Sequence, residues 1–311
     1  MLSSLLVNAG QITMKDAVIF IHRGHAGVLP YVLSQARKWN PKVPMFLIGD
    51  QKNLHYRFGI RHVSLKRFMQ DANRFAGFYQ HLSPNPVSYE LFCFQRWFAL
   101  AEFVRTMGIE HVVHLDSDVL AYCDLVADYR YYVDADCAFY LPPQRSIGIG
   151  HVGHFRAKSL DAFCEFCFDL YRQPGNPKRL AELRHTPEYG SSISDMVALG
   201  LFAAESGVRV ADTGQVIEGA RHDSQIKTDD GCEMCGDHKA ITWRDGRPYA
   251  KPPDGDEVRY KTLHFQGIHK RLIPEYSTAK GYPLLPMLCF ERAISSAVRV
   301  KQSIRRAVSR G

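Results

Sequence analysis

The first third of the chain alternates three short apolar runs with two amphipathic segments, and this alternation strongly restricts the possible fold. The apolar runs cover residues 16–22, 43–48 and 111–115. Each has the length of a strand and the continuous apolar character of a strand that is buried on both faces. Between them, apolar residues recur at helical spacing in 29–36 and again in 91–104. The pattern predicts an α/β protein with a mostly parallel sheet and helices on both faces.

The rest of the chain is less regular and contains no visible repeat or low-complexity linker. We expect helices at 159–171 and from a cap at Ser192 or Ser194 to Glu205, a short strand at 208–211, a hairpin around 243–246 and a late strand at 258–265. One continuous domain with an appended tail is the predicted organisation.

Composition excludes several classes of protein. Apolar residues make up 46% of the chain and charged residues 23%, which is typical of a globular protein and not of a disordered or fibrous one. No run approaches the ~20 apolar residues that would span a bilayer. Residues 1–10 lack the basic flank and long apolar stretch of a signal peptide, so we expect a cytoplasmic protein.

Eight cysteines in such a chain predict reduced thiols and not a disulfide scaffold. Six lie in apolar stretches and are expected to be small core residues: Cys93, Cys123, Cys137, Cys164, Cys167 and Cys289. Cys232 and Cys235 form a CxxC followed by His238, but no second pair follows at zinc-finger spacing. A structural zinc site is therefore not the favoured interpretation.

Two carboxylates, Asp116 and Asp118, follow directly after the third apolar run in the string His-Leu-Asp-Ser-Asp. In a parallel sheet, ligands bind at the carboxyl ends of strands. A turn after Leu115 would bring both carboxylates towards one hard divalent cation, which suits oxygen ligands and can neutralise a diphosphate. The alternative is a solvated turn with an Asx cap.

A second motif, HxxGxxK, occupies residues 264–270 near the end of the predicted domain. Together with the DxD motif it resembles the metal-dependent glycosyltransferases of the GT-A fold, most nearly family 8, which includes bacterial lipopolysaccharide galactosyl- and glucosyltransferases and glycogenin. The resemblance implies that Asp116, Asp118 and His264 bind Mn²⁺ or Mg²⁺. It also implies that Gly267 allows close approach of the backbone to the diphosphate and that Lys270 meets its charge. The alternative for His264 is a buried histidine at a strand end.

Other likenesses to this family rest on single residues. Arg96 lies one helix before the DxD motif, where relatives carry an arginine that reaches the donor; a surface salt bridge is the alternative. Asp195 falls in the region where relatives have Asp-Gln beside the donor sugar and acceptor, but Met196 replaces the glutamine, and a helix N-cap is the alternative for Asp195. His22 and Asp50, at the ends of the first two strands, are candidates for binding base and ribose, or else ordinary polar loop residues.

The resemblance also implies an organisation and an activity. We expect one GT-A domain over residues 1–285, with a nucleotide-binding half at about 16–125 and an acceptor half at about 126–285. The implied enzyme is a hexosyltransferase that moves a sugar from a nucleotide-sugar, a UDP-sugar in the first instance, to a hydroxyl of a surface glycan such as lipopolysaccharide or capsule. Asp195 and Lys270 are the catalytic candidates. Family 8 enzymes retain the anomeric configuration, whereas an inverting enzyme would need a carboxylate base, for which Asp195 or Glu188 could serve.

Two other functions remain open at the level of sequence. A sugar nucleotidyltransferase would also use carboxylate-bound metal, although Arg23-Gly24-His25-Ala26-Gly27 is only a faint version of its phosphate loop. A non-catalytic glycan- or membrane-binding protein could share the fold. Nucleic-acid binding has little support, because the basic excess is terminal and carries no interleaved aromatic residues.

The tail, residues 286–311, holds that basic excess. Within 292–311, apolar residues recur at helical spacing among six lysines and arginines, and no acidic residue is present. Such an amphipathic helix predicts peripheral contact with an anionic membrane, at the inner face of the cytoplasmic membrane if the acceptor is lipid-linked. A helix packed on the domain, or a frayed end, is the alternative.

Overall fold

The computed structural model describes residues 15–56 and 59–279. Its strands are β1 (Asp16–Ile21), β2 (Met45–Gly49), β3 (Arg61–Ser64), β4 (His111–Leu115), β5 (Val119–Ala121), β6 (Cys137–Tyr140), β7 (Ile149–Arg156), β8 (Val210–Asp212), β9 (Ala220–His222), β10 (Met234–Cys235), β11 (His238–Lys239), β12 (Thr242–Arg244), β13 (Arg247–Ala250) and β14 (Val258–His264). Its helices are α1 (Leu29–Trp39), α2 (Gln70–Ala76), α3 (Val87–Met107), α4 (Ala157–Arg172), α5 (Asn176–Leu183), α6 (Asp195–Glu205) and α7 (Ile273–Tyr276). Short 3₁₀ helices cover Gln51–Asn53, Leu65–Phe68, Ala127–Tyr132 and Gly267–Leu272.

A seven-stranded sheet forms the centre of the molecule, with strand order β3-β2-β1-β4-β7-β6-β8. Only β7 runs antiparallel to its neighbours, so the expected mostly parallel α/β architecture is confirmed. Phe20 of β1 lies opposite Leu47 of β2 and Leu115 of β4. Because these parallel strands end in register, the polar residues that follow them emerge at one edge of the sheet.

Helices and a second sheet bury both faces of the central sheet. From β1, Ile19 points into a cluster with Trp97 of α3, whereas Val18 and Phe20 point into a cluster with Leu33 of α1. Burial on both faces is the reason that the strand shows no alternation of apolar and polar residues.

The second sheet has the order β12-β13-β14-β5, and β9 adds to β14 in parallel. Within it, β14 runs antiparallel to β5, with His264 opposite Val119 and Leu263 opposite Leu120. The predicted hairpin around 243–246 is present, and its turn residues Asp245 and Gly246 have φ angles of 49° and 71°. Since β5 begins directly after Asp118, the pairing of β14 with β5 brings the end of the late strand next to the DxD motif.

Some expectations differ from the structure. The predicted helices correspond to α4 and α6, and Ser194 is the N-cap residue of α6, although its side chain makes no capping hydrogen bond.

No strand was expected at 149–156, because glycines and histidines hide the apolar pattern there. The structure nevertheless has β7, an eight-residue and mostly buried strand, at this place. Cys93 and Cys123 are only partly buried, while Cys137, Cys164 and Cys167 belong to the core.

No helix among the described residues is long and apolar enough to cross a membrane. The predicted tail, its membrane-contacting segment 292–311, Cys289 and the proposed domain boundary at residue 285 all lie outside the described residues.

Candidate functional site

A tight turn between β4 and β5 positions the two carboxylates of the DxD motif. The backbone N–H of Asp116 donates to the carbonyl of His151 at 2.9 Å, and the N–H of Val119 donates to the carbonyl of Asp116 at 3.2 Å. The turn prevents the extended conformation that would send the two side chains to opposite faces. Ligand atoms of Asp116, Asp118 and His264 lie within 4.8 Å of one another, so the structure brings together all three residues that the motifs predict as metal ligands.

The imidazole of His264 is buried at the end of β14 and is held by the segment that follows β9. Its Nδ1 lies 2.8 Å from the carbonyl oxygen of Ser224, and its backbone N–H donates to Oδ2 of Asp223 at 3.0 Å. A carbonyl only accepts, so Nδ1 carries a proton. Burial would lower the pKa of His264, but Asp118 and Asp116 outweigh it and raise the pKa, so Nε2 offers its lone pair once a cation takes the place of its proton. Nε2 lies 3.5 Å from Oδ1 of Asp118, which is the orientation that a metal ligand requires.

Both carboxylates of the DxD motif are ionised at neutral pH. Burial would raise the pKa of Asp116, but the charges of Arg96, His114 and His264 outweigh it and hold the pKa well below its usual range. Burial would also raise the pKa of Asp118, but His264 and Lys270 outweigh it and leave the pKa lowered. The half-exposed Lys270 places its Nζ 3.0 Å from Oδ2 of Asp118. The two carboxylates thus face the ammonium group of Lys270 on the exposed side of the site.

Arg96 bridges Asp116 to Asp195. One Nη of Arg96 contacts Asp116, and the other lies 2.8 Å from Oδ2 of Asp195, which also accepts a hydrogen bond from Nε1 of Trp97 at 2.9 Å. Arg96 makes the salt bridges of the alternative prediction, but only 17% of its side chain is exposed, so they lie largely below the surface. Contact of Arg96 with the donor stays a prediction. Asp195 is the first residue of α6 after the N-cap Ser194, so the N-cap alternative for Asp195 is wrong. Burial would lower the pKa of Arg96, but the two carboxylates outweigh it and raise the pKa.

His22 reaches the DxD turn, whereas Asp50 shapes a neighbouring loop. Nδ1 of His22 lies 2.9 Å from Oγ of Ser117, and burial, assisted by the charge of Lys270, lowers the pKa of His22 to about 4. The carboxylate of Asp50 accepts backbone N–H groups of Gly24 at 2.9 Å and of Lys52 at 2.8 Å. Both oxygens of Asp50 are therefore engaged within the protein, and binding of base or ribose by either residue stays a prediction.

Gly267 has a φ of 63°, a left-handed conformation that disfavours any other residue. A Cβ built on it would meet no atom within 4 Å. The backbone at this position is therefore open on the side where a side chain would stand, which is compatible with the predicted close approach of a ligand.

Three residues that support His264 were not predicted as site residues. The ring of His151 stacks on that of His264 with centroids 4.4 Å apart, and its Nε2 donates to the carbonyl of Asp223 at 2.6 Å. Burial first, and then the charge of His264, lowers the pKa of His151 to about 3. Asp223 pairs with the fully buried Lys239 at 2.8 Å. No local motif marks Asp223 or Lys239, because their roles arise only when β9, β11 and β14 come together.

A cleft of about 740 Å³ opens beside this supporting segment. Tyr140, Asp212, Arg221 and Ser224 are among its lining residues. Ser224 belongs both to the cleft and to the hydrogen bond that holds His264, so the cleft adjoins the candidate metal site. Its size is in the range of clefts that bind small molecules.

The CxxC segment does not form a metal site among the described residues. No group of three candidate ligands in the described ranges includes Cys232, Cys235 or His238. Cys232 is buried with its thiol 3.3 Å from the hydroxyl of Tyr260, whereas Cys235 is exposed.

No protein-family model matches the chain, and no curated protein matches its sequence. Among solved structures, the chain is similar to the bifunctional glycosyltransferase WbbM, with 10% identity and a TM-score of 0.49 over 89% of this chain and 52% of that one. It is similar to mouse xyloside xylosyltransferase 1, with 9% identity and a TM-score of 0.47 over 63% and 84%. An active-site mutant of LgtC shows 13% identity and a TM-score of 0.44 over 89% and 95%.

These three structures are of the class that the sequence motifs resemble. Identities and TM-scores this low say nothing about substrates, so the activity of this chain has to follow from its own site.

Proposed function

We propose that the chain is a metal-dependent glycosyltransferase that transfers a hexose from a nucleotide-sugar, a UDP-sugar in the first instance, to a hydroxyl group. One observation carries the proposal: the DxD carboxylates and a ring nitrogen of His264 converge within 4.8 Å, with the ammonium group of Lys270 beside them. This arrangement suits the binding of a divalent cation and a diphosphate together.

The residues present fit Mn²⁺ or Mg²⁺. Asp116 and Asp118 offer carboxylate oxygens, which both ions prefer, and the 3.5 Å between Asp118 and His264 is longer than a hydrogen bond but suits two ligands of one ion. When bound, the ion would neutralise the diphosphate and favour its departure as leaving group.

Other residues around the site bind the diphosphate or position the metal ligands. Lys270 is half-exposed and long, so it can swing from Asp118 to the departing diphosphate and add positive charge there. Gly267 allows the backbone to approach the same group. Arg96 forms ion pairs with two carboxylates. We therefore propose that it positions Asp116 and Asp195 and does not contact the donor directly.

We propose retention of the anomeric configuration. Asp195 is buried and committed to Arg96 and Trp97, which makes it a poor general base for the acceptor hydroxyl. Its carboxylate, oriented by these contacts, lies beside the DxD site, where it can help to position the donor sugar.

For the acceptor we propose a surface glycan such as lipopolysaccharide or capsule, bound in the cleft beside Ser224 within a single domain over residues 1–285. The described cysteines are all free thiols, which supports work in the cytoplasm. A lipid-linked acceptor would place the enzyme at the inner face of the cytoplasmic membrane, in contact with it through residues 292–311.

Nucleoside diphosphate release tests the proposal. The purified chain is incubated with a panel of nucleotide-sugars, with and without Mn²⁺, and we expect metal-dependent release of UDP from a UDP-sugar. Pyrophosphate release from a nucleoside triphosphate and a sugar phosphate would identify a nucleotidyltransferase instead. Absence of turnover with every donor and metal would identify a non-catalytic binding protein.

A further inference from the structure

A second group of metal-ligating side chains lies between the two sheets and shares no residue with the site described above. Asp128 comes from the 3₁₀ helix Ala127–Tyr132, His154 from β7 and His222 from β9. Their ligand atoms lie within 4.8 Å of one another, and all three side chains are almost completely buried.

The carboxylate of Asp128 divides its two oxygens between different partners. Oδ1 lies 2.7 Å from Nζ of the buried Lys261. Oδ2 accepts a hydrogen bond from Nε2 of His222 at 2.8 Å and lies 3.8 Å from Nε2 of His154. Nδ1 of His222 lies 3.1 Å from the hydroxyl of Thr262, which fixes the orientation of that ring.

His154 is the residue that points to a ligand. It is 0% exposed, and neither of its ring nitrogens has a hydrogen-bond partner among the described residues. The hydroxyl of Tyr132, whose ring lies 5.2 Å from that of His154, is also buried without such a partner. Burial of polar groups without partners is unfavourable, so two such side chains with neighbouring rings point to a bound species beside them.

We infer that Asp128, His154 and His222 form a buried structural site for a divalent transition-metal ion, and that the ion is zinc. Two imidazole nitrogens and one carboxylate oxygen form a known zinc ligand set, which leaves the fourth position to water. Bond lengths of roughly 2.0–2.1 Å in a tetrahedron separate neighbouring ligand atoms by about 3.3 Å. The observed separations of 2.8 and 3.8 Å from Oδ2 lie on either side of that value. A water molecule would complete the tetrahedron.

The positive charge of Lys261 does not block the site, because its ammonium group binds the other carboxylate oxygen. The rival occupant is a water molecule that bridges His154 and Asp128, and only a metal measurement separates the two.

The test uses the full chain carrying Asp118→Asn, which weakens the first site and leaves the inner group intact. The protein is stripped with a chelator, equilibrated with Zn²⁺, passed through a desalting column and analysed for metal. We expect one retained zinc ion per chain and a higher melting temperature than in the stripped protein. Absence of stoichiometric zinc in this variant overturns the inference, whatever the behaviour of the further variants.

Addition of His154→Gln or His222→Gln to this background locates the ion. We expect each to lose the retained zinc, while circular dichroism checks that the fold persists. Lys261→Met is the matched control, because it alters the same carboxylate but removes no ligand, and it should retain zinc. Zinc retained in both histidine variants would place the ion elsewhere, for instance on the CxxC cysteines. Loss of zinc in the Lys261→Met control as well would show general damage to the core. Either result overturns the assignment.

Discussion

Nε2 of His264 lies 3.5 Å from Oδ1 of Asp118, and the antiparallel pairing of β14 with β5 produces this proximity. His264 stands opposite Val119, the residue that follows Asp118. A shift of one residue in this register would turn the imidazole to the other face of the sheet. The candidate metal site therefore depends on the register of a pairing between the middle and the end of the described chain.

Asp118→Asn and His264→Ala are each expected to abolish metal-dependent UDP release, because each removes a ligand from a group of only three. Circular dichroism should remain unchanged, since both changes remove polar side chains at strand ends and leave the two apolar clusters intact. Asp134→Asn and His185→Ala, at exposed positions, are the matched controls and should keep wild-type turnover. Wild-type activity in either site variant would remove that residue from the metal shell.

Arg96→Met and Arg105→Met compare two arginines of α3 that each pair with two aspartates. Arg96 is largely buried, so its loss leaves Asp116 and Asp195 without their cation and should cost about 2–4 kcal/mol in the free energy of unfolding. Arg105 pairs with Asp71 and Asp161 at the exposed surface, so its loss should cost only about 0–1 kcal/mol. Urea unfolding measures both, and equal losses would contradict the structural role assigned to Arg96.

Asp223→Asn and Lys239→Met test whether the buried pair orients His264. Asp223 holds the backbone of His264 and is itself held by Lys239, so each variant should weaken Mn²⁺ affinity by about 10–100-fold. Turnover at saturating Mn²⁺ should change far less, whereas a general defect in the fold would lower turnover at every Mn²⁺ concentration. Lys227→Met, at an exposed position nearby, is the control, and its Mn²⁺ affinity should equal that of the wild type.

Gly267→Ala and Gly246→Ala separate backbone strain from a role in donor binding. Both glycines have positive φ angles and open space at the Cβ position, so each substitution should cost about 1–2 kcal/mol in stability. Only Gly267 adjoins Lys270 and the metal site, so only its variant should raise the KM for the nucleotide-sugar. A donor KM raised equally by both, or by neither, would argue against approach of the diphosphate to Gly267.

Thiol labelling at pH 8 tests the burial of the cysteines. Burial raises the pKa of Cys137 to about 12, and it also raises the pKa of Cys164 and of Cys167, so the reactive thiolate is scarce in the native chain. Cys235 is exposed and should react quickly with a disulfide reagent. The variant Cys235→Ser should lose one fast equivalent, and the three buried thiols should react only after unfolding. Fast native labelling of the buried thiols would contradict the packing of α4 against the sheet.

The local pattern of apolar residues was sufficient to predict strands where burial of apolar side chains alone decides the conformation. β1 and β2 are almost wholly apolar, and β4 places Val112, Val113 and Leu115 in a short run, so their strand character and parallel arrangement followed from the sequence. β7 was missed because Gly150, His151, Gly153 and His154 break its apolar pattern while being buried as completely as their neighbours. Histidines become core residues only when stacking and hydrogen bonds from other elements compensate for their burial.

Two short motifs in the sequence determined which residues are candidates for metal and diphosphate binding. Their residue types carry the required charges and lone pairs, and the apolar run before Asp116 places that residue at a strand end. The tertiary structure alone decided that Arg96 joins Asp116 to Asp195, that Asp223 and Lys239 hold His264, and that Asp128 meets His154 and His222. The physical reason is that each of these contacts joins segments far apart in the chain, and their distances depend on strand register and packing, which no local spacing of residues encodes.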